Sequence, residues 1–393
     1  MTQSPLPLPL PATRAAALAR LTAFLPRAGL AYAARRNEDV PGHPHVSTLS
    51  PYLRHRLVTE AEVITATRSH HPEGADKFLA EVWWRTYWKG WLELRPGIWV
   101  DYRQGLTAAL NRVQTESGLR RTWQEACLGQ TGIDGFDHWA QELAQTGYLH
   151  NHARMWFASI WIFTLRLPWE LGADFFLRHL IDGDPASNTL SWRWVAGLHT
   201  PGKTYAATPD NIAKYTAGRF RPSGLARHCT ALPLRPHPAM RAAPMGDLPS
   251  PGTRQALLLH DDDLGGDGFA ATHAPLFLLS TTARRSTLAV NPLVGAFVES
   301  ALTDTARQRG QPDAPRFTDA SLPALADRLA ADGIAELLTP YAPIGPTAAA
   351  LQRLIPLLDA RGIRLVRLLR PHDRTAWPHA TQGFFRFREA VMR

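Results

Sequence analysis

Between Thr59 and Leu165 the apolar positions of the chain recur every three or four residues. Thr59–Ser69, Asp76–Glu93, Gly105–Glu116, Ile133–Thr146 and His150–Leu165 all carry that period, which predicts helices with one buried stripe. Asp174–Ile181 is amphipathic too, and Arg14–Leu25 reads as a helix with a solvated basic face. The period fails over Arg219–Gly252, where Pro222, Pro233, Pro236, Pro238, Pro244, Pro249 and Pro251 predict an extended connector. Beyond it, Gln255–His260, Leu276–Ser280 and Ile363–Leu369 are short apolar runs that suit buried strands. Leu293–Arg309, Leu322–Asp332 and Thr347–Arg361 read as helices between them. Strands alternating with helices make a small parallel α/β layer. The expected architecture is a mainly α N-terminal domain over residues 1–220, a Pro-rich connector over 221–254 and a smaller α/β domain over 255–393.

Composition narrows the class. The 393 residues are 45% apolar and 20% charged, with a net charge of +9, as in a soluble globular protein with a bias toward polyanionic partners. Lys77, Lys89, Lys203 and Lys214 are the only lysines, so part of that bias is the arginine usage of a GC-rich genome. Two cysteines, Cys127 and Cys229, are too few for a disulfide framework or a four-thiolate iron–sulfur cluster. They point to a reducing, cytoplasmic location. Met1–Pro11 has no basic n-region of a secretory signal. The apolar run Met155–Leu165 is too short to span a bilayer and stops at Arg166 and Pro168, so no membrane association is expected.

Chemistry concentrates where tryptophan does: all of the 13 tryptophans but Trp377 lie between Trp83 and Trp194. That region contains Thr146-Gly147-Tyr148-Leu149-His150-Asn151-His152-Ala153-Arg154-Met155, Asp182-Gly183-Asp184-Pro185-Ala186-Ser187-Asn188 and Trp192-Arg193-Trp194. Upstream lie Val46-Ser47-Thr48-Leu49-Ser50-Pro51-Tyr52-Leu53, the Glu81–Trp88 segment, and Gly129-Gln130-Thr131-Gly132 with Asp137. On helices, Asn151, Arg154 and Met155 share one face, as do Glu81, Trp84, Arg85 and Trp88. In this order the segments, covering roughly residues 30–220, resemble the FAD-binding domain of the photolyase/cryptochrome superfamily.

That resemblance implies an FAD site with Tyr32, Ser47, Thr48, Leu49, Ser50, Arg85, Trp88, Asn151, Arg154, Asp182, Asp184 and Asn188 around the cofactor. Arg154 would pair with Asp182 beside the ring, Asn188 would face its N5, and Ser47 and Ser50 would donate to the diphosphate. Glu81, Trp84, Asn151, Met155 and Trp194 would grip a cyclobutane pyrimidine dimer, with Tyr148 and His152 beside the lesion. Light-excited reduced FAD would pass an electron to the dimer and recover it after the ring splits. Trp192 and Trp169 match two members of the family's electron-transfer chain, whereas Val113 stands at the surface member's place.

Two residues depart from the family pattern: Tyr148 replaces a tryptophan, and Thr48 an arginine that would pair with phosphate. The α/β segment follows the FAD motifs, whereas most members begin with it. That order resembles the bacterial inverted-topology subgroup known as NewPHL, which implies a C-terminal domain that seals the FAD site. It also implies a monomer that repairs UV-damaged, preferably single-stranded, DNA. A cryptochrome-like photoreceptor without repair activity is the alternative. Trp91, Trp99, Trp139 and Trp161 read as core, and the run His260-Asp261-Asp262-Asp263-Leu264-Gly265-Gly266-Asp267 as a solvated loop at a strand end.

Overall fold

The computed structural model describes residues 10–233, 236–265 and 274–392. Met1–Pro9, and Gly266 and Asp267 of the acidic run, lie outside the described residues. The first half is helical: α1 Arg14–Phe24, α2 Leu30–Arg35, α3 Ser50–Arg54, α4 Glu60–His70, α5 Asp76–Leu94 and α6 Gly97–Thr115. It continues with α7 Ser117–Leu128, α8 Phe136–Thr146, α9 Asn151–Ser159, α10 Trp169–His179, α11 Pro185–Val195 and α12 Pro209–Tyr215. Local chemistry sets several boundaries. Thr59 and Glu62 form a reciprocal capping box at the start of α4. Asp184 caps α11 by accepting from Ser187 N, and Pro185 stands in its first turn. From Thr86 onward every residue of α5 is buried. A helix buried on all sides lies inside the molecule rather than on it.

Among the described residues, the second half holds five parallel strands in the order β3-β2-β1-β4-β5. These are β1 Gln255–His260, β2 Leu276–Ser280, β3 Arg316–Thr318, β4 Glu336–Pro340 and β5 Arg364–Leu368. Helices α13 Pro292–Gln308, α14 Leu322–Ala331 and α15 Pro346–Asp359 connect them, and α16 Pro371–Ala376 and α17 Phe384–Val391 follow β5. The parallel layer is as expected. β3 and β4 add two strands that the apolar pattern did not mark.

The two halves share one apolar core, which runs from Leu10, Phe24 and Trp83 through Leu257, Phe297 and Val366 to Phe387. Trp377 is buried against α5, where a Cβ on Gly90 would sit 2.8 Å from its ring, so only glycine lets the two backbones approach this closely. The acidic run after β1 overturns its reading as a solvated loop. Asp261, Asp262 and Asp263 are buried. Arg54 Nη2 meets Asp262 at 2.6 Å, Arg56 Nη1 meets Asp263 at 2.9 Å, and Arg56 Nη2 meets Asp373 at 2.5 Å. Buried arginines of the helical half thus neutralise Asp262 and Asp263, as buried charge requires, while Asp261 accepts from the hydroxyls of Thr281 and Thr282. Glu93 adds a third tie, accepting from Ile344 N at 2.7 Å, Tyr341 Oη at 2.9 Å and Arg241 Nη2 at 2.7 Å.

Candidate functional site

Gly147 ends α8 in the left-handed region (φ 68°), and a Cβ there would lie 2.7 Å from Ile181. This close turn brings the start of α9 against the Leu180–Asp184 segment. Arg154 Nη2 donates to Asp182 Oδ2 at 2.9 Å, and its Nε donates to Leu149 O at 2.9 Å. Burial alone would push the Asp182 carboxyl up, but Arg154, with Arg85 and the Ser50 hydroxyl nearby, holds it below its usual range. Asp184 is likewise fully enclosed and is held low by Lys89, Arg54 and Arg85. Asn188 Nδ2 donates to Ala173 O at 2.7 Å, fixing the amide plane of that side chain.

The Ser47–Ser50 loop carries Thr48 at φ 51°, an uncommon conformation for a β-branched residue. Thr48 is buried, and Arg20 of α1 donates to its hydroxyl. Arg20 also lies beside Tyr52, whose phenol burial pushes up. A cation therefore stands next to the loop although the loop's own sequence lacks one. The helical period places Arg20 on α1 but carries no sign of this long-range contact. Leu49 is buried in the core below.

On α5, Glu81 forms an ion pair with Arg36, at the end of α2. Burial raises the Glu81 pKa, and Arg36 and Lys77 oppose that shift. Tyr32 is buried beside the pair. Trp84 stacks face to face on Phe384 of α17, with centroids 3.8 Å apart and planes 10° from parallel. Trp88 lies 5.0 Å from Trp84 and 4.7 Å from His199. On α9, Asn151 is exposed and Met155 half-buried. Trp194 is half-buried and packs on Tyr205 at 5.8 Å. Among the described residues no ring contact joins Trp84 to Trp194.

Tyr148 is buried between His43, at 5.0 Å, and the Arg154 guanidinium, at 5.8 Å. His152 is buried on Trp156, with Nδ1 bonded to Asn37 O at 3.0 Å and Nε2 to Tyr205 Oη at 3.1 Å, so both ring nitrogens are engaged within the protein. Trp192 is buried against Phe176 at 5.1 Å and Trp161 at 6.2 Å. Trp169 is 5.7 Å from Tyr102, and Tyr102 is 5.1 Å from half-buried Trp99. An aromatic run therefore leads from Trp169 toward the surface without Val113, which is buried in the core.

The polar accounting around Asp182 is incomplete. Asp182 Oδ1, Arg85 Nη1 and Ser187 Oγ are buried without a hydrogen-bond partner among the described residues. Each such orphan costs about 1–3 kcal/mol, and a polar ligand bound here would complete these three. A flavin fits this donor set. Its ring edge carries amide-type donors and acceptors and gains negative charge on reduction, which Arg85 and Arg154 would balance. Its diphosphate would take the hydroxyls of Ser47 and Ser50 and the charge of Arg20. This arrangement defines a flavin-binding helical domain.

Comparison with known proteins agrees. The family described as the FAD binding domain of DNA photolyase matches residues 78–217. A deoxyribodipyrimidine photo-lyase of Streptomyces griseus is 35% identical over 165 residues, covering 42% of this chain and 34% of that protein. One from Thermus thermophilus is 36% identical over 208 residues, covering 51% of this chain and 46% of that protein. The match thus spans less than half the length of these relatives. A solved bacterial class III photolyase from Agrobacterium tumefaciens overlaps with a TM-score of 0.43 at 27% identity, covering 52% of this chain and 43% of that one. Over residues 78–217 the chain thus carries an FAD-binding domain of the DNA photolyase type, and FAD is its cofactor.

Proposed function

We propose that this protein is a photolyase that repairs cyclobutane pyrimidine dimers in UV-damaged DNA. What supports this reading is that one helix, α5, carries residues proposed for both halves of the site. Arg85 turns toward Asp182 and Asp184, while Glu81 and Trp84, within one turn of it, carry a carboxylate and a flat ring. Bound FAD supplies the light-driven electron, and the protein supplies position and electrostatics. Arg154 and Arg85 hold charge near Asp182. Asn188, with its Nδ2 anchored on Ala173, offers its remaining amide oxygen to the ring. Arg20 takes the phosphate-pairing role that Thr48 cannot.

Glu81 hydrogen-bonds the pyrimidine pair in this account, and Trp84, Asn151, Met155 and Trp194 enclose it. Arg36 keeps Glu81 oriented. Trp192 and Trp169 carry electrons inward from an external donor, and Tyr102 and Trp99 complete the route to the surface. The α/β domain over 255–393 closes over the helical domain over 1–220 in an order inverted from that of most relatives. Dimers in single strands are preferred, because extrusion from a duplex costs a few kcal/mol of stacking and pairing. The protein acts as a monomer in the bacterial cytoplasm.

The strand preference is checked by timing blue-light dimer loss in matched single-stranded and duplex oligonucleotides at one salt concentration. Faster loss from single strands is expected. Equal rates would remove the preference and leave repair itself standing.

A further inference from the structure

The proposed function leaves the end of the chain without a task. Helix α17 packs on α5 through Phe384 and Phe387, which are buried. Trp88, Trp84 and Phe384 form a ladder of rings with centroid spacings of 5.0 and 3.8 Å. Phe385 extends it by one ring, 6.1 Å from Phe384 at 66°. This last ring is 69% exposed. Its neighbours do not make it part of an apolar patch: Arg386 and Glu389 are exposed, and the Arg388 guanidinium lies 5.8 Å from the Phe385 centroid. Arg386 and Arg388 have no ion-pair partner among the described residues.

A protein partner would seek a broader apolar surface than one ring framed by charge. One ring beside two guanidinium groups instead matches a planar base next to a phosphate. Carboxylates limit where the phosphate can lie. Asp76 and Glu389 line the same shallow hollow as Arg388 and Met392, so that side repels an anion. Arg386 is left as the phosphate-facing cation, and Arg388 serves to hold the Phe385 ring.

We propose that Phe385 is a stacking platform for a base of single-stranded nucleic acid, with Arg386 on an adjoining phosphate. The platform lies at the outer end of the ring ladder that starts at Trp88 and Trp84. A strand engaged at the site would therefore rest a nucleotide flanking the lesion on Phe385. A duplex cannot use the platform, because its bases already stack on one another. This inference rests on the reading of the site as one that acts on nucleic acid.

The test uses the full, flavin-loaded chain in darkness, with fluorescently labelled, undamaged oligothymidylate and anisotropy measured over a salt series. Phe385→Ala should weaken binding roughly 5- to 150-fold, the usual range for one base–aromatic stack. Phe385→Trp should restore it. Arg386→Ala should lower the slope of log affinity against log salt by about 0.7, as expected for one single-strand phosphate contact. Flavin content should match the unsubstituted protein throughout, because these side chains face solvent. Unchanged affinity in Phe385→Ala overturns the platform, and light-driven repair by the same preparation would then show that the site reading survives without it. Absence of both oligonucleotide binding and repair in the unsubstituted protein would overturn both.

Discussion

Thr48 shows how a long-range contact can place a charge where the local sequence has none. By sequence it removes a cation from the loop expected to meet a diphosphate, yet Arg20, 28 residues earlier, donates to its hydroxyl. If Arg20 carries that charge, Arg20→Ala loses one charge-assisted contact of about 1.5–3 kcal/mol. FAD should then dissociate roughly 10- to 150-fold more readily in equilibrium dialysis read by flavin fluorescence. Retention equal to that of the unsubstituted protein would return Arg20 to a purely structural role. Glu81 makes the opposite case. Its partner is Arg36, and in the proposed account it faces the lesion rather than the cofactor. Glu81→Ala is expected to lower repair per absorbed photon with FAD content unchanged, and loss of flavin together with activity would contradict that assignment.

At the scale of elements, legibility followed periodicity. α5, β1 and β2 were readable because their apolar positions repeat without interruption, and β1 and β2 fall on the residues the pattern marks. β4 was not readable: Glu336-Leu337-Leu338-Thr339-Pro340 begins with a carboxylate and ends in proline, although all five residues are buried. Glu336 is tolerated there because Arg364 Nε donates to it at 3.0 Å and Ser250 N at 3.0 Å, contacts that cross long stretches of sequence. α17 was missed for a related reason, since its buried face is short and interrupted by arginines. In the candidate site, the Arg154–Asp182 pair was legible through the family resemblance. The Phe384 stack on Trp84 was not, because only tertiary folding joins the two. The aromatic run yields a prediction at this scale. Trp192→Phe should largely abolish light-driven reduction of oxidised flavin by an external thiol, yet spare repair by chemically reduced enzyme. Trp99→Phe should slow the same reduction, and normal kinetics in both variants would place the electron's entry elsewhere.

For the whole molecule, the decisive feature is the ionic seam between the halves. Arg54 and Arg56 reach carboxylates after β1, where burial leaves no water to replace a lost partner. Removing one partner of such a pair costs about 3–5 kcal/mol. Asp262→Ala should therefore loosen the seam and speed proteolysis within the 221–254 connector. Arg54 holds Asp262 well below the usual carboxylate range despite burial, and Arg370 and Arg56 hold Asp263 low. The unfolded chain takes up those protons near pH 4 and the folded chain does not, so this stabilisation is complete above about pH 5 and fades below about pH 4. The stability difference between the unsubstituted protein and Asp262→Asn should accordingly shrink as pH falls through that window, and a difference that grows on acidification would contradict the seam. The seam also touches the candidate flavin site, since Arg54 Nε donates to Gly183 O at 2.8 Å, and the proposed purpose of that site is repair. The most direct test of that purpose is dimer content in UV-irradiated oligonucleotides incubated with flavin-reduced protein. The account predicts loss of cyclobutane dimers under blue light and none in darkness; equal dimer content in light and dark, from protein that holds reduced FAD and binds the oligonucleotide, would contradict it.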